Sequence, residues 1–127
     1  MRGDLIKLPE IRKAGTQHEL LTAERCWILE CQNTPDDPAV SIARARVEHG
    51  VTTAWHVVDG TVERYVIVEG RGRVEVGEMA PAEVGPGDVV VIPAGVRQRI
   101  ANIEDSDLIF YCVCTPRFEQ KNYRQLE

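Results

Sequence analysis

Two side chains in the segment GVTTAWHVVDGTVERYVIVEG, residues 50–70, invite a chemical question: His56 and, seven positions on, Glu63. Both are costly to bury in an alternating hydrophobic segment unless they are paired, hydrogen-bonded or bound to a metal. Alternation in an extended chain sends Thr52, Ala54, His56 and Val58 one way and Thr53, Trp55 and Val57 the other. On VERYVIVE, Glu63 shares its face with Tyr65 and Ile67. Tyr65 adds a phenol that can hydrogen-bond or donate a proton. The four cysteines, Cys26, Cys31, Cys112 and Cys114, lack the Cys-x-x-Cys spacing of a structural zinc site and read as small buried hydrophobes. Cys112 and Cys114 share one strand face, and would serve as ligands only if that face is the inner one. His18 and His49 lie in polar or turn segments, where a solvated imidazole is expected.

The elements that must position these groups are strands. From residue 26 to 114 the runs CWILECQN, AVSIARARVE, TTAWHVV, VERYVIVEG, GRVEVG, DVVVIPAGV, QRIANI and DLIFYCVCT follow one another, divided by Gly, Pro, Asp and Asn. That pattern predicts an all-β sandwich or barrel. VVDGTV reads as a hairpin, because Asp59-Gly60 suits the positive φ angles of a tight turn between twisted strands. EGRG at 69–72 and VGPGD at 84–88 are further turns. Ile42, Arg44 and Arg46 share one strand face, opposite Ala43, Ala45 and Val47; solvated arginines are the expectation, and arginines reaching into the barrel to hold an acidic ligand are the alternative. The organisation expected is an N-terminal arm or helix over 1–25, a barrel over 26–115 and a C-terminal tail or short helix over 116–127.

Composition narrows the partners. The chain has 127 residues, the size of one domain, with 15 Lys and Arg against 20 Asp and Glu, a net charge of −5. It has no basic stripe to track a phosphate backbone, so nucleic acid is not an expected partner. No apolar run approaches the ~20 residues that span a bilayer, and MRGDLIKLPEIRKAG lacks the apolar core of a signal peptide, so a soluble cytoplasmic protein without membrane partners is expected.

A second segment, GDVVVIPAGVRQRIAN at 87–102, completes a pattern. The first segment runs Gly50, five residues, His56, one, Val58, four, Glu63, six, Gly70. The second runs Gly87, five, Pro93, one, Gly95, two, Gln98, three, Asn102. Together they resemble the two motifs of the cupin superfamily, G-x5-H-x-H-x3–4-E-x6-G and G-x5-P-x-G-x2-H-x3-N. The resemblance implies a single-domain antiparallel β-barrel of jelly-roll type and, as in many small cupins, a homodimer. It also departs from the family at two of four metal-ligand positions, since Val58 and Gln98 stand where histidines are expected.

If the barrel interior receives His56, alternation brings Glu63, Tyr65 and Gln98 in with it, among Thr52, Val58, Ile67 and Ile100. The resemblance then implies His56, Glu63 and Gln98 as metal ligands, a weakened and harder set for a divalent Mn, Fe or Zn ion, with Tyr65 and Glu63 as acid–base candidates. An enzyme acting on a small oxygenated or acidic metabolite, of dioxygenase or isomerase type, is one expectation. A metal-free pocket that binds a small molecule without turnover is the alternative, and a purely structural His–Glu–Gln cluster is a third.

Overall fold

A computed structural model describes residues 8–127; the first seven positions of the expected arm lie outside the described residues. The described residues form eleven strands: β1 (Leu20–Leu21), β2 (Trp27–Gln32), β3 (Ser41–Val47), β4 (His56–Val58), β5 (Val62–Glu69), β6 (Gly72–Val76), β7 (Ala82–Val84), β8 (Val89–Ile92), β9 (Gln98–Asn102), β10 (Leu108–Thr115) and β11 (Tyr123–Gln125). They make two antiparallel sheets, one in the order β1-β2-β3-β10-β5-β8 and the other β11-β4-β9-β6-β7. In place of terminal helices the described residues hold short 3-10 turns at Ala14–Thr16 and Gln120–Asn122. None of their helices is long and apolar enough to cross a membrane.

Alternation builds the core. Glu63, Tyr65 and Ile67 of β5 are buried, as are Gln98, Ile100 and Asn102 of β9, while the residues between them are partly exposed. The inner faces meet in a cluster that includes Val47, Ile67, Val74, Ile92, Ile100, Leu108 and Phe110. On β3 the small side chains Ala45 and Val47 turn inward. Arg44 and Arg46 turn outward and share the carboxylate of Glu19, with an Arg46–Glu19 contact of 2.8 Å.

Asp59-Gly60 makes a tight turn, with Gly60 at a φ of 71°, but not the expected hairpin. β4 and β5 lie in different sheets, so the turn carries the chain across the sandwich. Backbone groups around β4 find other partners: His56 opposes Gln98 on β9, Val58 opposes Tyr123 on β11, and the Val58 carbonyl accepts from Gly95. EGRG and VGPGD are likewise crossings between sheets. At Gly70 the φ is 82° and an added Cβ would lie 2.8 Å from the Asp107 carbonyl oxygen, which explains the glycine there.

The C-terminal segment is a strand and not a free tail. β11 pairs with β4, and Arg124 clamps Asp59 at 2.7 Å. Glu127 accepts from the Trp55 N–H at 2.8 Å and from Arg25 at 2.9 Å, while the Leu126 N–H donates to the Trp55 carbonyl. The Trp55 indole in turn packs against the guanidinium groups of Arg97 and Arg99, 4.7 and 4.5 Å from its ring centre.

Candidate functional site

Between the two sheets, beneath β11 and the loop before β2, lies a cavity of about 350 Å³. Its chemical lining is His56 and Val58 from β4, Glu63 from β5, Cys112 and Cys114 from β10, Glu24 before β2, Glu30 on β2 and Tyr123 on β11. Phe118 and Gln120 come from the segment that leads into β11. Cys112 and Cys114 therefore face inward. Burial and the nearby Glu63 carboxylate push the Cys112 thiol well above its ordinary range, and burial pushes Cys114 up to about 12. Both thiols are protonated and inert as nucleophiles at neutral pH.

His56 is 5 % exposed and stacks on Tyr123, with ring centres 5.2 Å apart. Its Nδ1 lies 2.8 Å from the Ala54 carbonyl, an arrangement that places the proton on Nδ1 and leaves Nε2 for the cavity. Glu24 Oε2 is 3.2 Å from the same nitrogen without hydrogen-bond geometry, and this oxygen is buried with no hydrogen-bond partner. Burial pushes the Glu24 carboxyl up to about 7.

Glu63 is 8 % exposed, and its Oε1 is also buried without a partner. Burial raises its pKa; facing His56 and the Gln98 amide act in the opposite direction. Beneath it, Tyr65 donates its hydroxyl to Gln98 Oε1 and packs its ring on Phe110 with centres 4.5 Å apart. With the amide oxygen committed to Tyr65, the Gln98 N–H groups are the ones available to Glu63. Burial drives the Tyr65 phenol well above its ordinary pKa.

Of the residues expected inside, His56, Val58 and Glu63 reach the cavity, and Gln98 and Tyr65 form a buried chain behind Glu63. Ile67 and Ile100 are packed in the core. Thr52 is half-buried beside β9, bridged to Ala101, with its carbonyl bound by Arg25. His18 and His49 are both exposed. Glu24 and Tyr123 are the residues that strand alternation does not find. The first sits in a loop, and the second arrives on a strand that joins the sheet from the far end of the chain.

The ligand set the fold implies for a divalent ion does not fit a resident metal. Gln98 has turned its oxygen to Tyr65, so His56 Nε2 and Glu63 are left as donors from the expected three. Among the described residues no group of three or more His, Cys, Asp and Glu is placed to hold a metal ion.

Solved structures show where this architecture recurs. KdgF from a Halomonas species is similar with a TM-score of 0.75 at 16% identity, covering 86% of this chain and 96% of that one. Streptomyces PAC13 in a variant bound to uridine matches with a TM-score of 0.79 at 14% identity, covering 95% and 93%. The capsular polysaccharide assembling protein CapF of Staphylococcus aureus matches with a TM-score of 0.74 at 20% identity, over 87% of this chain and 34% of that one. At these identities the likeness is one of fold. No curated protein sequence matches the chain. The Cupin domain family matches residues 43–114, a span that carries both motif segments and runs from within β3 to within β10; the chain belongs to the cupin family.

Proposed function

We propose that this cupin binds a small oxygenated molecule in the cavity and transfers a proton to or from it, an isomerase-like or dehydratase-like activity that needs no resident metal. The observation that carries the reading is the Glu63 carboxylate: it is buried, its Oε1 has no partner, and it borders a cavity large enough for a small metabolite. An N–H or O–H donor of the ligand would supply the missing hydrogen bond. Glu63 is then the group that takes or returns the proton. The Tyr65–Gln98 chain is a positioning device that holds its other side, and His56 Nε2 accepts or donates from the opposite wall. Glu24, poised near neutrality, is a further proton store beside His56. The nucleoside dehydratase Pac13, similar in fold, is an enzyme on this scaffold.

The test is solvent isotope exchange. Uridine and a panel of small hydroxy-aldehydes and hydroxy-ketones are incubated with untagged protein in D2O and followed by NMR. Deuterium incorporation or loss of water, abolished by Glu63→Gln, supports the reading. Turnover that appears only with added Mn, Fe(II) or Zn, with those ions taken up stoichiometrically, overturns it. The reading includes a homodimer, supported by the exposed apolar side chains of Val89 and Val91 on the edge strand β8.

A further inference from the structure

The charges around the cavity are unbalanced. Three carboxyl groups, Glu24, Glu30 and Glu63, line it against the single imidazole of His56, and among the described residues its lining includes no lysine or arginine. Neighbouring cations are turned elsewhere: Arg25 holds the Thr52 carbonyl and Glu127, and Arg44 and Arg46 hold Glu19 on the outer face. Two of the carboxylates, Glu24 and Glu63, each present a buried oxygen with no hydrogen-bond partner, and Glu63 is more than nine-tenths buried. Such acceptors favour a ligand that brings both N–H donors and positive charge. Once ionised by such a partner they disfavour an anion in the same place. The rest of the lining, Ile28, Ala43 and Val58 with the Tyr123 ring, suits an aliphatic body.

Deepening the reading above, and resting on it for the occupancy of this cavity, we infer that the ligand carries a primary ammonium group, held between Glu63 and Glu24, on a small hydroxylated aliphatic frame. The ammonium donates to the unpartnered oxygens Glu63 Oε1 and Glu24 Oε2, and its frame lies against Val58 and Tyr123.

Butylammonium, 1-butanol and butyrate, alike in size and different in headgroup, test this on the full-length labelled protein at neutral pH. Shifts of the backbone amides of His56–Val58, Glu63 and Cys112–Cys114 report binding. The ammonium is expected to bind about tenfold more tightly than the alcohol, as charge-assisted hydrogen bonds require, with butyrate excluded. Glu63→Gln should cost the ammonium about that factor and the alcohol distinctly less; Glu24→Gln does the same should the first variant not fold. Equal affinity for alcohol and ammonium, or displacement of the ammonium by stoichiometric Mn or Zn, overturns the inference. Binding of neutral ligands without ammonium preference sinks this inference and leaves the small-molecule pocket standing. Ammonium binding without any isotope exchange on hydroxylated compounds sinks the proton-transfer reading alone.

Discussion

Glu24 is a carboxyl that folding prefers to keep protonated, because its surroundings offer little solvent and its Oε2 has no donor. Its ordinary value is 4.5 and burial carries it to about 7, so between those pH values the folded state binds more protons than the unfolded state. Its contribution to stability is therefore full below pH 4.5 and is lost as pH rises to 7, by roughly 1.4 kcal/mol for each unit of pH in that window. Glu24→Gln should raise the Tm at pH 8 and flatten the profile between pH 5 and 7, measured by thermal denaturation; parallel profiles for the two proteins would count against this account. Val58 offers the complementary experiment. It lines the cavity two residues after His56, so Val58→His adds a second imidazole on the same wall. Stoichiometric zinc uptake by that variant, read by elemental analysis, is expected where the parent takes up none. The inward placement of His56, Glu63 and Gln98 was legible in the sequence because each is fixed by local alternation and by glycine and proline spacing around it. Glu24 was not, since nothing near it in the chain predicts that a loop will turn its carboxylate onto an imidazole 32 positions later.

At the scale of elements, β10 and β11 stand at opposite ends of local stability. β10 is eight residues long and paired on both sides, with β3 and β5, whereas β11 is three residues long at a sheet edge. Amides of Tyr123–Gln125 should exchange with solvent well before those of Phe110–Cys114, a difference hydrogen-exchange NMR reads directly. Gly70→Ala should destabilise the fold by about 1–3 kcal/mol in urea denaturation, because the left-handed backbone and the Asp107 carbonyl both oppose a Cβ. Eight strand segments could be read from β-branched runs and turn residues. What they pair with could not: the Asp59-Gly60 turn has hairpin chemistry, yet which sheet receives β5 depends on long-range competition for β4. The same competition, won in part by the C-terminal residues, is why the expected tail is a strand.

For the molecule as a whole, the six-stranded sheet leaves β8 as an edge with Val89 and Val91 more than half exposed, and β1 as the other edge with Leu20 and Leu21 exposed. Sedimentation should give about twice the 14.2 kDa of one chain, and Val91→Glu should shift the population toward the monomer. The barrel class was legible from alternation and the motif pair, while the partner and the cavity contents depend on how the outer faces and the two termini come together. The attachment of β11 has an optical corollary. Trp55 is tied to the closing segment through both its backbone N–H and its carbonyl, and its indole is one of only two in the chain. In a Trp27→Phe background the intrinsic emission reports this attachment alone: detachment of residues 123–127 would move the spectrum to the red, a step that stopped-flow fluorescence can time without a label.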